Sequence, residues 1–292
     1  MEIGKPTWTS SSFLLYTGGF TVLLAADGAL AYLSTQDGKG ALVAWTLLPL
    51  AVLSALALAL RGRSWIAAGV FAVNAVVVWG VFWGEVFDWF GWTPARSSGP
   101  FDGFNWSIWL IALLVLVAAW AALRTFRFPL LLVFVVVPVY YVITDVVSGG
   151  GSWSAVVTLV LGLVFLAVGS SVDRGPRRPL GFWWHVLAAL TVSGALLYWW
   201  HTSETDWALL AAAAVVYVFV GVARRRSIWT VFGAVGIFTA ATHWTVEWTA
   251  TPFSSAFKPP RLWVPPLAGA VVGFFLVVLG LLAARRRDAQ PA

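Results

Sequence analysis

The chain has no cysteine and few charges: Asp, Glu, Lys and Arg make up 10% of its 292 residues. The first absence excludes disulfides, a thiol nucleophile and any Cys-ligated metal, and it leaves the redox compartment open. The second excludes an ordinary water-facing surface, because soluble domains average about 25% charged residues. A nucleotide-binding glycine loop, a Ser-centred nucleophile motif and a His-Glu-x-x-His pair are also missing, so no catalytic residue is assigned and nothing marks the chain as an enzyme. The polar stretch from Met1 to Ser12 lacks the pattern of a cleavable signal, and the first apolar run is expected to remain as an anchor.

Apolar sequence fills the chain instead, with 60% hydrophobic residues and a mean hydropathy of +0.87. A bilayer core of about 30 Å needs ~20 apolar residues per helix. Ten runs meet that length, at about 13–33, 41–60, 65–88, 106–123, 129–147, 153–172, 180–200, 206–223, 227–248 and 265–284. The expected fold class is therefore all-α, a polytopic integral membrane bundle of ten helices forming a single transmembrane domain over residues 1–292.

The loops alternate between Arg-rich and Arg-poor. Arg61/Arg63, Arg124/Arg127, Arg174/Arg177/Arg178, Arg224/Arg225/Arg226 and Arg285/Arg286/Arg287 each follow an even-numbered run, and with Lys5 they hold 14 of the 18 basic residues. By the positive-inside rule that side is cytoplasmic, which predicts a multi-pass protein of a bacterial cytoplasmic (inner) membrane with both termini inside. The same placement at helix ends explains the net charge of +6 without nucleic acid as a partner. Most acids fall on the opposite, outer side, where two long loops rich in Pro, Gly and Ser also lie, at about 89–105 and 249–264.

Several polar residues interrupt the apolar runs. Asp27 has apolar neighbours on every side in Leu23-Leu-Ala-Ala-Asp-Gly-Ala-Leu30. A carboxyl at bilayer depth is costly, so it should face the bundle, as a proton or ligand site or as a protonated group bonded to a neighbouring helix. In helix 3, Asn74 and Glu85 fall on one face. In helix 5, Pro138, Tyr141 and Asp145 share a face, and Pro138 and Pro49 sit mid-span, where proline frees a carbonyl and kinks the helix. These five, Asp27, Asn74, Glu85, Tyr141 and Asp145, are the candidate proton or ligand sites.

Thr239, His243 and Glu247 recur at helical spacing in helix 9, and His201 ends helix 7 on the same outer side. His201, His243 and Glu247 have the ligand types of a metal site; the bland alternative is that wet helix ends tolerate such residues. No cofactor is predicted, with a metal or a pigment as the alternatives.

Tryptophan is abundant, with 20 residues. An interfacial belt should load both faces, yet the outer side takes the majority, including Trp79, Trp83, Trp199, Trp200, Trp244 and Trp248. They form either a thick belt or an aromatic outer pocket. The i, i+4 pairs Trp79/Trp83 and Trp244/Trp248 would make flat stripes suited to an isoprenoid, lipid, sugar or pigment.

Two stretches, Ala223-Arg-Arg-Arg-Ser-Ile-Trp-Thr-Val-Phe-Gly-Ala-Val-Gly-Ile-Phe238 and Leu279-Gly-Leu-Leu-Ala-Ala-Arg-Arg-Arg287, resemble the C-terminal part of bacterial polytopic membrane proteins that carry domain-of-unknown-function labels. The resemblance implies a membrane bundle and no particular activity. The helix count is similar to that of the drug/metabolite transporter superfamily, a likeness without a motif.

Three readings follow. The first is a carrier for a small or lipidic substrate, with an outward Trp-rich acidic vestibule. The second is a non-catalytic subunit that binds partner proteins, lipid or pigment, or pairs with a second copy through Gly269-x-x-x-Gly273. The third is a metal-dependent membrane enzyme acting through His201, His243 and Glu247.

Overall fold

In the computed structural model, residues 10–33, 38–92, 106–148, 151–175, 178–224 and 226–249 are described. Among them the chain is all-α, with no strand. The helices are α1 (Ser10–Leu33), α2 (Lys39–Leu60), α3 (Trp65–Trp89), α4 (Trp106–Phe126), α5 (Leu131–Ser148), α6 (Gly151–Val172), α7 (Arg178–Trp199), α8 (Glu204–Arg224) and α9 (Ser227–Thr249). Among the described residues six spans are long and apolar enough to cross a membrane: Lys39–Leu60, Trp65–Trp89, Trp106–Phe126, Ser152–Val172, Pro179–Trp199 and Glu204–Arg224. α5 is apolar but shorter. The expected tenth helix at 265–284, and most of both long loops, lie outside the described residues.

The helix ends have local causes. Ser64 caps α3, its Oγ accepting from the Ala67 N–H at 3.3 Å, which satisfies one of the orphan donors of a helix start. Ser203 and Asp206 cap α8 reciprocally. The Ser203 N–H donates to Asp206 Oδ2 at 3.0 Å and the Asp206 N–H donates to Ser203 Oγ at 3.2 Å, an acidic version of the capping box. Between α4 and α5, Arg127 takes a left-handed φ of 53° and its N–H closes on the Leu123 carbonyl at 2.9 Å. Pro129 follows, and a short i→i+3 turn (Leu131 N–H to Phe128 O, 3.1 Å) delays α5 to Leu131, two residues later than its apolar run begins.

The chain divides into two compact units. Of the described residues, unit 1 takes those up to Val157 together with Ala167–Trp184, and unit 2 takes Thr158–Leu166 and those from His185 onward.

Unit 1 is organised around α3, which packs on α1, α2 and α4. Its sequence explains why. Ala67, Ala68, Gly69 and Ala72 are all buried, and small residues let apolar helices approach closely where no water drives them together. A Cβ at Gly69 would collide with the Phe128 ring, and one at Gly19 in α1 with Val70. Indole donors pin α3 to α4 at two levels: Trp65 Nε1 donates to the Phe126 carbonyl and Trp79 Nε1 to the Leu114 carbonyl, both at 3.2 Å. Large apolar side chains point outward, among them Leu48, Leu113, Val117 and Trp120. That inverts the soluble pattern, as a lipid-facing surface requires.

Unit 2 rests on α8 against α9. Gly221, Gly233 and Gly236 bring the two backbones together, with Ala214, Val218 and Thr230 filling the space a side chain would take. At depth, His185 is wholly buried and its Nδ1 accepts from Trp229 Nε1 at 3.2 Å. The Trp229 ring also meets Tyr217 edge-on, with centroids 5.0 Å apart.

Candidate functional site

The clearest concavity with polar groups lies in unit 2. α7 contributes Ser193, Leu196 and Leu197, α8 contributes Trp207, Leu210, Ala213, Ala214 and Tyr217, and α9 contributes Phe232, Val235, Gly236 and Thr239, enclosing about 190 Å³. The walls are hydrocarbon and aromatic. Its polar groups are few: Ser193 Oγ donates to the Tyr217 hydroxyl at 3.3 Å, Thr239 returns its hydroxyl to the Val235 carbonyl at 2.9 Å, and Trp207 stands at the wall. For scale, an apolar cavity of about 150 Å³ holds benzene, so this one has room for a ring or a branched chain end.

Beside that wall, Trp207 carries the expected histidine. His243 lies flat on the indole, centroids 4.1 Å apart and planes 11° from parallel, and its Nε2 is 3.2 Å from Glu204 Oε1. Glu204 is 58% exposed and His243 27%. The capped first turn of α8 thus sets Glu204 and Trp207 one turn apart on one face, and α9 lays His243 across both. A polar rim of an imidazole and a carboxylate therefore sits next to an apolar pocket, an arrangement suited to an amphipathic molecule.

The other expected residues are placed as follows. His201 lies between α7 and α8 and its Nδ1 is 2.9 Å from the Tyr198 carbonyl of its own turn. Glu247 is exposed on α9. Among the described residues no group of three His, Cys, Asp or Glu side chains is placed to hold a metal ion. Trp199, Trp200 and Trp244 are half-buried, while the side chain of Trp248 lies outside the described residues. Asp27 falls within α1, and its side chain likewise lies outside the described residues.

In unit 1, Asn74 is 0% exposed, and its Nδ2 donates to the Gly19 carbonyl of α1 at 2.7 Å. Its Oδ1 is buried without a hydrogen-bond partner. Glu85, on the same helix, is half-buried near Asp88 and Lys39, which form an ion pair of 2.9 Å. Asp145 accepts a short hydrogen bond from Trp109 Nε1, and Tyr141 lies within electrostatic reach of its carboxylate.

Trp79 and Trp83 of α3 belong to a continuous aromatic cluster. Trp79 meets Trp83 at 5.6 Å, Trp83 meets Phe87 at 5.9 Å, and Phe87 meets Trp92 and Trp106 at 5.6 and 6.1 Å. Trp79 and Trp83 are edge to face, 82° apart, not the flat stripe their spacing suggests. Ring quadrupoles favour the T arrangement once two indoles touch.

Sequence spacing missed Ser193, Tyr217 and Trp207. Trp207 and Tyr217 line the pocket from one side of α8, but aromatics do not stand out in so apolar a helix, and Ser193 comes from α7. No protein-family model, no curated protein and no solved structure matches the chain.

Proposed function

We propose that the protein is a ten-helix carrier of a bacterial cytoplasmic membrane, with both termini inside, whose substrate is a small amphipathic or lipidic molecule bound in unit 2. The observation that carries this reading is the apolar pocket of about 190 Å³ set beside the Glu204–His243 pair. A ring or prenyl-like tail enters the pocket, where apolar burial contributes roughly 25 cal/mol per Å². The polar head meets His243 and Glu204, and the Ser193–Tyr217 hydroxyls supply one hydrogen-bonding point inside. The charge alternation along the chain supports the orientation, which puts this rim at the outer surface. Asp27 is proposed as the proton-coupling carboxyl of the transport cycle.

Native mass spectrometry of the protein, extracted gently from its own membrane, tests the binding step. A stoichiometric small molecule is expected on wild type and absent from Ala213→Phe, which fills the pocket. His243→Phe keeps the ring over Trp207 and removes only the exposed pair with Glu204. Stability should then change by less than about 1 kcal/mol while retention of the molecule falls. Co-purifying subunits with no small molecule would replace this reading with that of an accessory subunit. For transport, wild-type proteoliposomes should move the identified molecule faster than protein-free ones, and Asp27→Asn should abolish any proton dependence. Equal rates with and without protein would refute the carrier.

A further inference from the structure

A second concavity lies in unit 1 and has no part in the site above. Between α4 and α5 lies a groove of about 550 Å³, lined by Trp109, Leu113, Leu116, Pro138, Val142 and Ile143 among others. Pro138 contributes to the shape, because a mid-helix proline ring displaces the preceding turn. The groove opens sideways. Leu113 and Val139 on its walls are 52% and 40% exposed, and both lie mid-helix, where lipid is the neighbour. Along α4 it runs from Trp106 to Leu116, about 15 Å at 1.5 Å per residue, roughly half a hydrocarbon core of about 30 Å. It therefore has the length of one leaflet's acyl chain.

A carboxyl group stands beside the Trp109 end of this groove. Trp109 lines the groove and its Nε1 donates to Asp145 Oδ2, which holds the carboxylate at the Trp-rich end of α4 and α5. Among the described residues no Lys, Arg or His pairs with Asp145. The neighbouring Tyr141 is a phenol and supplies no positive charge. A carboxyl group held by a neutral indole donor beside an apolar groove is suited to receive a cation with N–H donors, since charge-assisted hydrogen bonds to a carboxylate are the strong ones.

We infer that this groove binds one membrane lipid bearing a primary ammonium headgroup, its chain between α4 and α5 and its ammonium on Asp145. The full-length protein, purified in mild detergent, is titrated with chain-matched phosphatidylethanolamine, phosphatidylcholine and phosphatidylglycerol, and retained lipids are counted by native mass spectrometry. One phosphatidylethanolamine should be held about tenfold more tightly than phosphatidylglycerol, the factor expected for a hydrogen bond to a charged group. Phosphatidylcholine, cationic but without N–H donors, should fall between. Asp145→Asn should erase the preference. Leu113→Trp, on the exposed wall, should expel the lipid without touching Asp145, and it keeps the test open if Asp145→Asn fails to fold. Equal retention of the three lipids, a preference unchanged in Asp145→Asn, or retention unchanged in Leu113→Trp would overturn the inference. So would a groove occupied by a co-purifying protein subunit. Each readout is independent of Ala213→Phe, so this site and the unit 2 pocket succeed or fail separately.

Discussion

Gly233→Ala is the sharpest test of how unit 2 is held together. A Cβ built on Gly233 would lie 2.5 Å from the Ala214 carbonyl oxygen, 2.7 Å from Val218 Cγ2 and 3.0 Å from the Val218 nitrogen. Two of those atoms are backbone and cannot rotate away, so α8 and α9 must separate. Overpacking of this kind costs about 1–3 kcal/mol, against a gain of about 0.5–1 kcal/mol from replacing a helical glycine. The expected net loss is about 1–2 kcal/mol. Gly194 in α7 is the control, since a Cβ there meets nothing within 4 Å and Gly194→Ala should be neutral or stabilising. The two variants should therefore differ by roughly 2 kcal/mol, about thirtyfold in the folded-to-unfolded ratio. Unfolding by SDS in mixed micelles, followed by circular dichroism, reads that difference. Adding Val218→Ala to Gly233→Ala should restore only part of the loss, because the backbone contacts remain. Gly236 lines the pocket less than one turn further along α9, so the Gly233→Ala protein should also lose the molecule proposed to bind there. Equal stability of Gly233→Ala and Gly194→Ala would refute the close α8–α9 contact and the pocket geometry built on it.

Two further substitutions test unit 1. Trp79→Phe keeps the aromatic contact with Trp83 and removes the donor to the Leu114 carbonyl, so it should cost about 1 kcal/mol in the same unfolding assay; a loss several times larger would mean that the indole does more than bridge α3 and α4. Asn74→Leu removes a bond of 2.7 Å to Gly19 together with a buried oxygen that has no partner. Loss and relief should nearly cancel, to within about 1 kcal/mol, and a strongly destabilised variant would show that Oδ1 has a partner in the folded protein.

The helices were legible because membrane insertion is written along one dimension. Apolar length and arginine punctuation placed α3 at 65–88 against Trp65–Trp89 and α9 at 227–248 against Ser227–Thr249. The exceptions are local: α5 starts late because a left-handed Arg127 and the Phe128–Pro129 turn precede it. The site was less legible, and for a general reason. Spacing says which side chains share a face of one helix, but in a bundle the chemistry lies between helices. His243 and Glu247 share a face of α9, yet the imidazole pairs with Glu204, 39 residues away, and stacks on Trp207. What decides that choice is the first turn of α8, where the Ser203–Asp206 cap sets the position of Glu204. A carboxylate in that turn also meets the positive end of the helix dipole, so Glu204 is held there before any histidine arrives.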